Sequence, residues 1–177
     1  RRGTVLYIQF REEAKPKVIE STQPTVLENN GRSKKQNYIF NFDYPIGQRV
    51  SCKTRFQFGS YRHNTQFTNG FAIMQDVSTT LGQLNFSLRY ALFNTDDYEN
   101  RQYVYEKDVL YAFSIPAYYG IGTRAYLVGR YKFTRNFQIQ AKYSITHYRD
   151  RETISSGNEQ IDGNVKQDVK LQMKLSF

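Results

Sequence analysis

The sequence predicts an all-β protein: an antiparallel transmembrane β-barrel of about 8–10 strands, or the C-terminal part of a larger barrel protein. Three observations predict it. Apolar and polar residues alternate with a period of two in one segment after another. Most of these segments run about 8–13 residues, which suits a tilted membrane strand of ~9–11 residues better than the ~5–6 of a globular sheet. Aromatic residues recur at segment ends, at Tyr38, Tyr44, Phe58, Tyr90, Phe93, Tyr131, Phe133, Tyr148 and Phe177, where membrane-interface girdles lie.

About nine segments read as strands. The first, 4–11, is followed by a polar stretch, 12–36, whose mixed charge and two prolines mark a long loop. Segment 37–44 comes next. In 49–59, Val50, Cys52, Thr54, Phe56 and Phe58 oppose Ser51, Lys53, Arg55 and Gln57. Segment 66–77 follows. In 83–93, Leu84, Phe86, Leu88, Tyr90 and Leu92 oppose Asn85, Ser87, Arg89 and Ala91. Segment 103–115 reads as a further strand. In 123–134, Ala125, Leu127, Gly129, Tyr131 and Phe133 oppose Tyr126, Val128, Arg130 and Lys132. In 137–149, Phe137, Ile139, Ala141, Tyr143 and Ile145 oppose Gln138, Gln140, Lys142, Ser144 and Thr146. The last segment, 166–177, places Val169, Leu171, Met173, Leu175 and Phe177 on one face, with Lys170, Gln172, Lys174 and Ser176 on the other. A strand that ends the chain on an aromatic residue is expected to close a barrel against lipid.

Composition agrees. With 177 residues, one domain spanning 1–177 is expected. The 15 Tyr and 13 Phe are not matched by any Trp. A mean hydropathy of -0.69 excludes a helical membrane protein, but a barrel tolerates it because half of each strand faces the interior. A single cysteine, Cys52, precludes an intrachain disulfide and fits its strand as a small apolar filler. The chain opens on Arg1-Arg2-Gly3, with neither Met nor signal peptide, so a mature or truncated piece of an exported protein is expected.

The long polar stretch 150–165 is expected on the external side, because the last strand ends at the periplasm; 134–136 is then a short periplasmic turn. Counting back, the short turns at 44–47 and 78–82 fall on the wrong side. One crossing too many lies between Phe93 and Thr123, in a segment that folds inward or does not span the membrane.

The net charge of +9 is placed mostly on one face. Alternation turns Lys53, Arg55, Arg89, Arg130, Lys132, Lys142, Lys170 and Lys174 toward the interior, with Asp43, Glu106 and Asp108 as the main acids beside them. On the lipid face each charge would cost ~2–4 kcal/mol at mid-membrane. Inside, the bases either pair with these acids in a plugged barrel or line a path for an anion or an acidic partner. The aromatics occupy the opposite faces of the same strands, which argues against a nucleic-acid stacking surface.

No enzyme chemistry is expected. His63 and His147 have no partners at ligand spacing, and no nucleophile elbow is present. The oxygen-rich run 94–100 lacks the glycine and spacing of a calcium loop and reads as a capped turn. No metal or cofactor is implied.

Four stretches, 90–93 (Tyr-Ala-Leu-Phe), 103–106 (Tyr-Val-Tyr-Glu), 113–120 (Phe-Ser-Ile-Pro-Ala-Tyr-Tyr-Gly) and Ser156-Gly157 with 161–164 (Ile-Asp-Gly-Asn), carry a resemblance. Over roughly its last hundred residues the chain resembles the C-terminal β-barrel region of bacteroidete outer-membrane proteins that have an upstream helix-hairpin-helix segment. The resemblance implies an integral outer-membrane protein and brings no catalytic motif.

The expectations for function follow. The leading one is a structural or anchoring subunit of a cell-envelope complex in the outer membrane of a Gram-negative bacterium. It would meet outer-membrane lipid and lipopolysaccharide, other envelope proteins, and the barrel-assembly machinery through its C-terminal strand. The alternatives are a basic-lined channel for anionic solutes or DNA uptake, and a soluble secreted β-barrel or sandwich that acts as a binding module.

Overall fold

The computed structural model describes residues 3–16 and 32–177. In chain order the strands are β1 (Val5–Pro16), β2 (Arg32–Ile46), β3 (Val50–His63), β4 (Gln66–Leu81), β5 (Leu84–Thr95), β6 (Gln102–Tyr103), β7 (Ala117–Tyr118), β8 (Ile121–Lys132), β9 (Phe137–Tyr148), β10 (Thr153–Ile154), β11 (Ile161–Asp162) and β12 (Val165–Leu175). One antiparallel sheet holds eight of them, in the order β1-β2-β3-β4-β5-β8-β9-β12. The pairs β6–β7 and β10–β11 are small hairpins within the two long connections.

The sheet is apolar outside and polar inside. Tyr44, Cys52, Val77, Leu88, Leu127, Tyr143 and Val169 are successive cross-strand partners from β2 to β12. The next row toward β5 alternates in charge instead: Asp43, Lys53, Asp76 and Arg89. Opposite charges in register stabilise a pair of strands, and β-branched or aromatic neighbours do so on the other face. The buried residues lie on the polar side, where Arg89, Gln140, Lys142, Ser144 and Thr146 are all covered, while Leu88, Tyr90, Leu92 and Leu127 are exposed.

What covers the polar side is the connection between β5 and β8. Residues 96–120 turn back over the sheet, so that Ala72, Met74, Ala91 and Phe93 pack with Val104, Tyr118, Tyr148 and Ile154. This corrects the expected strand 103–115. The segment contributes no strand to the large sheet and is held by the two-residue pair β6–β7 and a bridge between Glu106 and Ser114. Its alternation is real, but its acids find their partners on the inner face. β5 pairs directly with β8. With that crossing removed, the short turns at Gly47 and Gly82 fall at the same end as the 133–136 turn, and the parity conflict disappears.

The loop expected over 12–36 is also shorter. Residues 12–16 and 32–36 belong to β1 and β2, joined by registers such as Glu12 with Gln36 and Glu13 with Lys35. The mixed charge that reads as a loop is a set of cross-strand partners, Lys34 to Glu12 at 3.0 Å among them. Residues 17–31 lie outside the described residues.

Among the described residues the sheet does not close into a barrel. β1 and β12 each have one hydrogen-bonded neighbour. An eight-stranded barrel is just wide enough for its own side chains, and this sheet also carries the backbone of 96–120 on its inner face. β12 is therefore an edge strand: Val169, Leu171, Met173 and Leu175 share its apolar side, and Phe177 lies beyond its end, fully exposed.

Candidate functional site

The feature that sets this sheet apart is the infolded segment and the charges that hold it. Its base is pinched where the Thr95 amide donates to Gly120 O at 3.0 Å and the Gly120 amide to Thr95 Oγ1 at 2.8 Å. Asp97 caps the single turn Tyr98–Asn100 by accepting from the Asn100 amide, as Asp does at the start of a helical turn. The oxygen-rich run thus serves as a cap, and among the described residues no group of three His, Cys, Asp or Glu could hold a metal.

Beyond the cap the chain crosses two glycines, Gly59 on β3 and Gly70 on β4, which are cross-strand partners. A Cβ on Gly70 would lie 3.0 Å from Asn100 O, and one on Gly59 would lie 2.6 Å from Gln102 Nε2. Glycine within a strand is what a close backbone approach requires. Gln57 Nε2 donates to Gln102 Oε1 at 2.7 Å, and Asn100 Nδ2 to Thr68 Oγ1 at 2.6 Å.

The ion pairs follow. Glu106, with no exposed surface, accepts from Arg124 Nε at 2.6 Å and Nη2 at 2.9 Å, from Lys142 Nζ at 3.1 Å and from the Tyr118 hydroxyl at 2.8 Å. Asp108 accepts from Lys170 Nζ at 2.8 Å and Lys142 Nζ at 3.4 Å. Arg89 forks onto Asp76, with Nη2 to Oδ2 at 2.7 Å, and gives its Nη1 to the Tyr105 carbonyl at 2.7 Å. Lys107 Nζ reaches Ser78 Oγ at 2.6 Å and Ser87 Oγ at 2.9 Å. One buried carboxylate among two cations and a hydroxyl is a satisfied charge; burial alone would raise the Glu106 pKa, but the Arg124 and Tyr118 hydrogen bonds and the Lys142 charge carry it below the usual carboxylate value. Burial opposes ionisation of Asp108 too, and Lys170, the Val109 amide and Lys142 outweigh it.

The eight basic residues expected inside are all on the face that carries the segment, but they divide. Arg89, Lys142 and Lys170 bind it directly. Lys53 pairs instead with Asp43 at 3.3 Å, and Arg55 lines the same recess of about 490 Å³ with Tyr105 and Lys107. Arg130 lines a neighbouring recess of about 360 Å³. Lys132 and Lys174 lie together at the 133–136 turn, and Lys174 Nζ is 5.8 Å from the Tyr111 ring. Arg124 was missed by the sequence reading, although it is in phase with Tyr126 and Arg130, and extending that alternation by one step finds it.

At the long-loop end Arg151 sits between the rings of Tyr119 and Tyr148, 4.6 and 4.3 Å from their centroids, and pairs with Asp150 at 2.8 Å. That hydrogen bond holds the Asp150 pKa below its ordinary value. Arg101 lies over Tyr98 at 4.2 Å. Chemically, the arrangement can bind and hold: its central charges are consumed by one another. No family model matches the chain, nor does any curated protein or solved structure.

Proposed function

We propose that this chain is the wall and internal plug of an outer-membrane β-barrel, and that it anchors a cell-envelope assembly. The observation that carries the reading is the inverted sheet: an apolar row running from Tyr44 to Val169 on the outside, and charges beneath a covering segment on the inside. In water such a sheet would leave a large apolar face uncovered, which soluble proteins avoid. In a bilayer the same face is solvated by lipid. A 12-residue strand such as β9 is about 40 Å long, and tilted by about 45° it covers about 28 Å, close to the ~25 Å apolar band of a bacterial barrel.

The edges of β1 and β12 supply the second part. Unpaired strand edges are not tolerated in hydrocarbon, so further strands must complete the wall. The chain is thus part of a larger barrel, in the outer membrane of a Gram-negative bacterium. Lipopolysaccharide phosphates would meet Arg101 and Arg151 at the loop end. β12, with its free edge, would be the strand presented to the barrel-assembly machinery.

A basic-lined channel is the second reading. A recess of about 600 Å³, lined by Arg11, Lys15, Lys35 and Arg101 together with Glu13 and Glu99, is the feature that bears on it. The ion-paired segment favours the plug. Planar-bilayer recording of the purified protein separates them: the anchoring barrel passes no steady current, and a sustained anion-selective current would refute it.

A further inference from the structure

The infolded segment has two faces, and the charges account for only one. Val104, Glu106 and Val109 are buried against the sheet. Between and beyond them, Tyr103, Tyr105, Tyr111, Phe113 and Ile115 are exposed, Tyr111 by 83% and Phe113 by 74%. The Tyr105 and Phe113 rings pack with their centroids 5.7 Å apart, tilted by 43°. Tyr111 has a φ of 65°, a left-handed conformation that bulky residues rarely adopt, and its exposed ring lies 5.8 Å from Lys174 Nζ at the β12 edge. A cluster of five large apolar side chains on one side of a hairpin is an interaction surface.

We propose that this aromatic face docks against the inner side of the strands that close the barrel between β12 and β1. The proposal rests on the anchoring reading and says what the closing strands must carry. Three observations select this occupant. The segment lies on the inner face, so its far side faces the gap. Strands that pair with the free edges of β1 and β12 must bridge that gap. The margin of the gap is basic: β12 turns Lys166, Lys170 and Lys174 inward with the single acid Asp168, and Lys170 pairs with Asp108 of the infolded segment at 2.8 Å. The complementary wall therefore presents small or apolar residues opposite Phe113 and Tyr111, and acidic residues opposite Lys166 and Lys174. The plug would then be clamped between two walls, by ion pairs on one side and by aromatic packing on the other.

Thiol labelling of the protein in isolated outer membranes tests this. Phe113→Cys and Ile115→Cys, each with Cys52→Ala, are compared with Asn158→Cys in the exposed 150–165 loop, using a small water-soluble maleimide. A docked face predicts labelling at 113 and 115 about ten-fold slower than at 158, because thiol reactivity follows access. Equal rates would overturn the proposal, since they would leave the face open to an aqueous interior. A photo-crosslinker placed at Tyr111 identifies the occupant. A crosslink to a strand outside the eight described, with acidic residues in alternate positions, supports the closing wall. A crosslink joining two copies through their own 103–115 segments overturns it in favour of self-association. Recovery in the membrane fraction tests the anchoring reading separately, so either can fail without the other.

Discussion

Lys142 on β9 and Glu106 on the infolded segment form an ion pair from which water is excluded: Nζ lies 3.1 Å from Oε2, and the side chains are 1% and 0% exposed. The pair is the point at which a segment with no place in the sheet is fastened to it. Its energetics are asymmetric. A buried pair adds little over an apolar substitute, but removing one partner strands the other charge.

Glu106→Gln should therefore destabilise the protein by about 3–5 kcal/mol, the cost of leaving Arg124 and Lys142 facing a neutral group. A double variant, Glu106→Gln with Lys142→Met, should recover part of that loss. Urea unfolding of the detergent-solubilised protein measures both, with Lys142→Met alone completing the cycle; a double-variant loss equal to the sum of the two single losses would show that the pair is not coupled.

The same carboxylate makes the plug sensitive to acid. Its folded pKa lies below the ordinary 4.5. Its stabilisation is thus complete above that value and is lost as pH falls through the folded pKa. Limited proteolysis between 103 and 115 should stay slow from neutral pH down to about 4.5 and accelerate only below it. Acceleration between pH 5 and 7 would mean that another group controls the segment.

Glycine contacts give a local test of the crossing. At Gly70 a methyl would meet Thr95 Cγ2 at 2.8 Å and Asn100 O at 3.0 Å, whereas at Gly129 the nearest atom is Phe86 Cε1 at 3.8 Å. Gly70→Ala should cost about 1–3 kcal/mol by overpacking. Gly129→Ala should be neutral or stabilising by up to about 1 kcal/mol. Thermal unfolding of the two variants side by side reads the difference.

Much of the sheet was legible in the sequence because a period of two survives whatever solvent lies outside: β3, β5, β8, β9 and β12 fall close to where alternation put them. The infolded segment was only half legible. Counting turns located the surplus crossing between Phe93 and Thr123, but alternation in 103–115 imitates a strand, because a hairpin lying on a sheet also has two faces. The partners of Glu106 lie 18 and 36 residues away, on β8 and β9, and no local pattern reveals such pairs. The mid-strand glycines Gly59 and Gly70 were the one local sign that a backbone passes over β3 and β4. The open edges could not be read at all, since an edge strand and a paired strand alternate alike.

The outer surface carries its own prediction. Leu127→Arg places a charge in the middle of the apolar row and should cost ~2–4 kcal/mol when the protein folds into vesicles. In a loosely packed detergent micelle the penalty should shrink. A cost equal in both would argue against a lipid-facing position.

The absence of tryptophan from the chain allows the most direct test. A single Trp is introduced at Leu127, on the outer row, or at Val128, which is 8% exposed on the inner side. Each variant is folded into vesicles containing lipids brominated along their acyl chains. The account predicts strong quenching of the Leu127→Trp fluorescence and little for Val128→Trp. Equal quenching, or none at Leu127→Trp in protein bound to the vesicles, would contradict a sheet whose outer face meets lipid.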